Sequence, residues 1–166
     1  MAESNDVHFM GIALEEAKKG AQAGEIPIGA VLALRGDIIA RAHNRCVASR
    51  DPTAHAEILV IREAAKRLAN YRLLGADLYV TVEPCAMCVG AMIHARVSRL
   101  VFGTHEEKTG MVESRLPLLG FSLFNHRIET LGGILREECR QLVQGFFREK
   151  RAKRTSSELF LTYLEY

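Results

Sequence analysis

Asp77-Leu-Tyr-Val-Thr-Val82 alternates in polarity, is rich in strand-forming residues, and runs straight into Glu83-Pro84-Cys85-Ala-Met-Cys88. The first half reads as a strand. Pro84 ends it, and Cys85 to about Ala95 reads as a helix whose two cysteines lie one turn apart. A strand that hands the chain directly to a helix start is the unit of an α/β fold.

Working outward, the same alternation of element types continues. Asn5 or Asp6 is placed to cap a first helix to about Ala23, since Phe9, Ile12, Ala13, Ala17 and Ala21 recur at helical spacing. Ile28 to Leu34 is an almost unbroken apolar run, and Arg35-Gly36-Asp37 turns it into Ile38 to His43 as a hairpin. Asn44 to Pro52 is polar and reads as a loop, after which Thr53 is placed to cap a helix from Ala54 to about Ala69. Arg99 to Phe102 gives a fourth strand, and Gly110, Pro117 and Gly120 break any period between Gly103 and Asn125, so a long loop is expected there. His126 to Leu131 reads as a fifth short strand, Gly132-Gly133 as a turn, and Leu135 to about Arg154 as a last amphipathic helix. The expectation is one α/β domain spanning 1–166, with its core over about 5–154. It is a three-layer α/β/α arrangement around a mixed five-stranded sheet, followed by a tail, 155–166, that is apolar enough to dock.

A chain of 166 residues, nearly half of them apolar, can bury a sizeable core without a second domain. Its 22 basic and 20 acidic residues almost cancel, so net charge points to no partner and local clusters must be read instead. No apolar run is long enough to cross a bilayer, and the amino end lacks a basic-then-apolar leader, so a cytoplasmic protein without membrane contact is expected. Four cysteines are too few for a disulfide scaffold; in a reducing compartment a Cys-x-x-Cys points to metal or redox chemistry.

Metal chemistry gains weight from Thr53-Ala-His55-Ala-Glu57, which also falls at an expected helix start. A catalytic zinc takes three protein ligands and leaves one position for water, and His55, Cys85 and Cys88 meet that count. Cysteines in a first helical turn are favoured as thiolates by free amides and the helix dipole. Zinc lowers the pKa of bound water to about 7, and Glu57 is the carboxylate placed to move the proton released. Two alternatives stand at this point: a closed structural zinc, for which Cys46 is the spare ligand, and a thiol redox pair, which needs neither His55 nor Glu57.

His-x-Glu followed by Pro-Cys-x-x-Cys is the signature of zinc-dependent nucleobase deaminases. The likeness extends to Pro27-Ile-Gly-Ala-Val, Asn44-Arg45, Asp51-Pro-Thr-Ala-His-Ala-Glu-Ile58, Asn70-Tyr-Arg-Leu, Leu78 to His94, Lys108-Thr-Gly and Asn125-His-Arg. In these stretches the chain closely resembles the bacterial tRNA-specific adenosine deaminases over about residues 5–154. The resemblance implies the cytidine deaminase-like fold, one zinc per subunit, a homodimer, and conversion of the wobble adenosine of a tRNA anticodon stem-loop to inosine. It makes His55, Cys85 and Cys88 the zinc ligands and Glu57 the proton shuttle. By the same resemblance, Asn44 reads the base with support from the Ala56 backbone, and Ile26, Pro27 and Val82 are apolar walls.

Phe146, Phe147, Arg148, Lys150, Arg151, Lys153 and Arg154 join two aromatics to five basic side chains at a helix end, a mix that can stack bases and hold phosphates. On the run alone, a solvated helix end is the other reading; with the resemblance these residues, and Lys108 in the long loop, become RNA contacts. The helix after Cys85 is apolar nearly all round, which asks for cover on more than one side, as a dimer would provide. The competing functions are a deaminase of a free base or nucleoside, of cytosine or guanine type, and a zinc-stabilised RNA-binding module without catalysis.

Overall fold

In the computed structural model, which describes residues 2–164 and the side chains of 5–153, five strands form one sheet in the order β2-β1-β3-β4-β5. They are β1 (Gly29–Leu34), β2 (Asp37–His43), β3 (Ala76–Val82), β4 (Arg99–Thr104) and β5 (Glu129–Gly132). β1 runs antiparallel to β2 and β3, whereas β3, β4 and β5 are parallel, so the sheet is mixed as expected. The helices are α1 (Ala2–Gln22), α2 (Cys46–Ser49), α3 (Ala56–Arg67), α4 (Ala86–His94) and α5 (Arg136–Leu164), with a 3-10 turn at Leu118–Gly120.

Strand periodicity divides the core into two layers. Val31, Ala33, Tyr79 and Val101 point to the face covered by α1 and α5, where they meet Phe9, Met10, Ala13 and Cys139. Their neighbours Ala30, Leu32, Leu78, Val80, Leu100 and Phe102 point the other way, into Val60, Ala64, Val89 and Met92 of α3 and α4. With both faces covered, the central strands have no solvent side, which is why their sequences are nearly continuous apolar runs. Gly29 lets α1 lie directly on β1: a Cβ there would collide with the Ala13 carbonyl and Ala17 amide. The β1–β2 turn places Arg35 and Gly36 at positive φ, the backbone of a tight hairpin.

Several element ends differ from the sequence-based expectation. α1 begins at Ala2, so neither Asn5 nor Asp6 caps it. Asp6 instead turns inward and accepts both arms of the Arg99 guanidinium, at 2.7 and 2.8 Å, and the Tyr79 hydroxyl at 3.0 Å. α3 begins two residues late, because Asp51 takes the Thr53 amide and hydroxyl into its own turn, at 2.8 and 2.7 Å. α4 begins at Ala86, with Cys85 in the extended cap position. The Asn44–Pro52 loop contains the short α2, whose Val47 and Ala48 amides are held by the buried Glu25 carboxylate. β5 begins at Glu129 and not His126, whose ring donates to the Val97 carbonyl at 2.6 Å. The backbone of α5 runs beyond Arg154 to Leu164, and the side chains of Arg154 and of the tail lie outside the described residues. No described helix is long and apolar enough to cross a membrane.

The Asp6–Arg99–Tyr79 cluster pins α1 to two strands, and Asp6 is 2% exposed. The hydrogen bond from Arg99 holds its carboxyl below the usual 3.8, so the stabilisation is complete above that pH and is lost as pH falls through the lower folded-state value. Asp6→Ala leaves the Tyr79 phenol without its acceptor and the Arg99 guanidinium with only Glu129, at 3.8 Å, among the described residues, and is expected to cost about 3 kcal/mol in chemical denaturation. The stability gap between the wild type and Asp6→Asn is expected to close as the pH is taken below 3.8.

Candidate active site

β3 ends at Val82, and the chain turns at Pro84 into α4, placing Cys85 just ahead of the helix and Cys88 inside its first turn. α3 starts nearby with His55 at its own cap position, so two helix starts converge at the carboxyl end of a parallel strand. Open α/β sheets place their ligand sites in that position. The Nδ1 of His55 lies 3.7 Å from the Cys85 Sγ and 3.5 Å from the Cys88 Sγ, and the sulfurs are 3.7 Å apart.

That triangle can be tested against a metal ion. A tetrahedral ion bonded at about 2.3 Å to sulfur and about 2.05 Å to nitrogen would space the two sulfurs by about 3.8 Å and each sulfur from the nitrogen by about 3.6 Å. The measured edges agree to about a tenth of an ångström, and the three residues could hold a metal ion. The two thiols differ in acidity, Cys85 being lowered and Cys88 raised. The hydrogen bond with Cys88, aided by that with His55, pulls Cys85 down to about 4. Cys88 is pushed up by the same hydrogen bond and by burial. The hydrogen bond with Cys85 raises His55. Two thiols so close share one negative charge, and a cation would relieve the conflict by taking both as thiolates.

Glu57, in the first turn of α3, is 3% exposed, and its Oε2 is the one buried side-chain polar atom without a hydrogen-bond partner among the described residues. Burial raises its carboxyl to about 7. A buried, unpaired carboxylate oxygen costs about 1–3 kcal/mol; beside a group that could hold a metal, it is placed where a proton can be taken up and given back.

The other sequence candidates fall into two groups. Asn44, 3% exposed, accepts the Ala56 amide through Oδ1 at 2.8 Å, so it caps α3 from a distance and keeps its own amide hydrogens for another partner. Val82 and Pro27 are buried near this end of the sheet, and Ile26 is 41% exposed. Farther out, Phe146, Lys150 and Lys153 face Ala21, Gln22 and Gly24 across a cleft of about 380 Å³ between α5 and the end of α1. Lys150 stands over the Phe146 ring at 5.3 Å, which leaves Phe147, 40% exposed, as the more open of the two rings. Arg148 and Arg151 are exposed on the same helix, as is Lys108 in the loop after β4.

The sequence reading gave Glu83 no role. Burial alone would raise its carboxyl, but the Ser114 hydroxyl and the amides of Glu106, Glu113 and Ser114 outweigh that and hold it at about 2. The available signal was an acid at the end of an apolar strand, next to Pro84.

Residues 4–151 match the family model of the MafB19-like deaminases. The tRNA-specific adenosine deaminase of Bacillus subtilis is 47% identical over 154 residues, covering 93% of this chain and 96% of that protein. That of Haemophilus influenzae is 44% identical, covering 96% and 92%. A solved structure from work on A-to-I editing by tRNA:A34 deaminases at the wobble position superposes with a TM-score of 0.79 at 45% identity, covering 81% of this chain and 98% of that one. A guanine deaminase from Nitrosomonas europaea superposes at 0.69 with 28% identity, covering 84% and 83%. The sheet order and two helical layers are therefore those of the cytidine deaminase-like fold. Matched by family model and close relatives over nearly its whole length, the chain belongs to the deaminases, in the branch of the tRNA-specific adenosine deaminases.

Proposed function

We infer that this chain, acting as a single deaminase domain, hydrolyses adenosine to inosine at the wobble position of a tRNA anticodon stem-loop, with one zinc ion per subunit. The observation that carries the reading is the His55, Cys85 and Cys88 triangle beside the unpaired Glu57 Oε2, in a chain 47% identical to a tRNA-specific adenosine deaminase. A free-base deaminase would use the same four residues, but guanine deaminase structures superpose less well, at TM-scores of 0.69 and 0.57 against 0.79 for the tRNA:A34 deaminase structure. A non-catalytic RNA-binding module would not keep a buried carboxylate oxygen unpaired.

His55, Cys85 and Cys88 would hold the zinc, which when bound supplies Lewis-acid activation of a water molecule. Glu57 Oε2 accepts one proton of the attacking water and passes it to the purine ring nitrogen as the hydroxyl adds to the amino-bearing carbon; it then takes the second proton from that hydroxyl and delivers it to the amino group as the C–N bond breaks and ammonia leaves. Across the cycle, one water is consumed and Glu57 returns to its starting state. Asn44, its Oδ1 engaged by Ala56, presents its amide hydrogens to the base, and Ile26, Pro27 and Val82 form apolar walls. Lys108 and the α5 run from Phe146 to Arg154 are the proposed RNA contacts, with charge against phosphate and Phe147 against a base.

A homodimer is the proposed state. α4 is only partly covered within one chain: Gly90, Ile93 and His94 border a cleft of about 480 Å³ together with Leu123 and Phe124. Leu123 is 85% exposed and nearby Tyr71 67%, a concentration of apolar surface that a second copy would cover. The cytoplasm is the proposed location, in keeping with four cysteines that are all free thiols.

Purified protein is expected to form inosine in an anticodon stem-loop bearing adenosine at the wobble position, detected by nucleoside mass spectrometry; no inosine with zinc present would overturn the reading. Glu57→Gln is expected to lower kcat by about 10³-fold or more while elemental analysis still finds the metal. Cys88→Ser is expected instead to weaken metal binding by at least about tenfold, since even supporting residues around a metal are worth that much. Asn44→Ala removes both the α3 cap and the proposed base contact, and a loss of about 10²-fold in kcat/KM is expected, larger than a cap alone would give.

A further inference from the structure

We propose that Glu83 is a positioning residue for the RNA substrate: its carboxylate locks the loop after β4 into a fixed wall beside the metal-ligating cysteines and, through His105, sets that wall against the start of α5. The proposal rests on the tRNA deaminase reading above. It begins with a count of donors. Glu83 Oε1 accepts the amides of Val112, Glu113 and Ser114 at 3.0, 2.7 and 2.9 Å. Its Oε2 accepts the Glu106 amide at 3.0 Å and the Ser114 hydroxyl. Five donors on one carboxylate, itself 3% exposed, bring both arms of the loop to a single point.

The backbone packs around the same point. The Met111 amide donates to the Pro84 carbonyl at 2.9 Å, and the Gly110 amide to the Glu106 carbonyl at 2.8 Å. A Cβ on Gly110 would stand 2.5 Å from the Glu83 carboxyl group, so a side chain there would push the loop off its anchor. Pro84 and Cys85 follow Glu83 directly, so the loop is tied to the segment that delivers the first sulfur.

The loop is tied at a second place. The His105 ring donates through Nε2 to Glu113 at 2.8 Å and accepts the Arg136 guanidinium at Nδ1 at 2.5 Å, while lying edge-on to Phe102. Arg136 is the first residue of α5, the helix whose far part carries the basic run. Lys108 hangs from the anchored arm, where its amide donates to Glu106 Oε1 at 2.9 Å. The proposed RNA contacts on the loop and on α5 are thereby referred to one carboxylate two residues from Cys85.

A glutamine cannot replace this anchor. Its single oxygen can serve the three amides of Val112, Glu113 and Ser114, but its NH₂ group would then face the Glu106 amide, donor against donor. Glu83→Gln therefore opens the Glu106–Lys108 arm while keeping size and burial. The expected result on an anticodon stem-loop is a KM raised about tenfold with kcat within about threefold, the mark of lost substrate binding. Metal content is expected to stay at the wild-type level, and amide exchange to quicken at Glu106 and Lys108 more than at 112–114. Ser114→Ala, which removes one donor and no charge, is expected to raise KM about threefold and serves as the test should Glu83→Gln fail to fold. An unchanged KM in whichever variant folds, or a fall in kcat that only tracks lost metal, would overturn the proposal. Absence of inosine from the wild type would overturn the tRNA reading instead; the exchange measurement still judges the anchor, and unaltered exchange at Glu106 would refute it.

Discussion

Two helices must begin at the same place, and most of the fold serves to bring them there. α3 and α4 start at the carboxyl end of β3 with His55 and Cys85 at their cap positions and Cys88 one turn on. Neither cap residue satisfies its own helix through a side chain. The α3 debt is met from outside by Asn44, whose oxygen takes the Ala56 amide; on α4, the hydrogen bonds with Cys88 and His55 favour the cap residue Cys85 as an anion, while the same sulfur contact and burial push Cys88 up. A cap position given to a residue that could ligate a metal is a local cost, and burial of both helices against β1, β3 and β4 through Val60, Ala64, Val89 and Met92 offsets it. Gly29 on the opposite layer has the same effect, letting α1 close on the sheet so that the strands beneath the site cannot shift.

Two glutamates a few residues from this junction show what the site requires. Glu57 and Glu83 are equally buried, at 3% exposure each. Glu83 is surrounded by donors and held at about 2, an acid that stays charged because five hydrogen bonds replace its water. Glu57 has one oxygen without a partner and is raised to about 7 by burial. The first environment gives a fixed anion suited to holding backbone in place. The second gives a group that exchanges a proton easily near neutrality, as general acid-base work demands. Residue type does not separate these roles; the count of donors around each carboxylate does.

That contrast also explains what was legible in the sequence. Strand and helix order could be read because β1, β3 and β4 are covered on both faces and so carry long apolar runs. The convergence of His55, Cys85 and Cys88 into a group that could hold a metal was legible because ligand chemistry restricts residue type and spacing at once. Element starts were misplaced where a long-range partner outbid a local one: Asp6 bonds Arg99, 93 positions away, in place of capping α1, and Asp51 draws Thr53 away from α3. The anchoring role of Glu83 was invisible for the same reason. Its donors lie 23 to 31 positions downstream, in a loop whose broken periodicity offered no sign of what it folds around.

The division between what could be read and what could not follows the division of labour in the reaction. Hydrolysis of an amidine needs an activated water and a mobile proton whatever base carries it, so the roles proposed for His55, Glu57, Cys85 and Cys88 fit a reaction and leave the substrate open. The 28% identical guanine deaminase fits that view, since it shares the fold under a different named substrate. Discrimination must come from side chains at the rim, where one misplaced polar contact can cost more than a methylene of apolar fit. The residues proposed for that role sit on elements of unlike rigidity: Asn44 is locked to Ala56, Ile26 and Phe147 are partly in solvent, and Lys108 hangs from a loop. A rim assembled from such parts can select a substrate only if they keep fixed positions relative to the metal group. An ion-like anchor buried beside Cys85 supplies that registration more stiffly than apolar packing could, because each of its five hydrogen bonds has a direction as well as a distance.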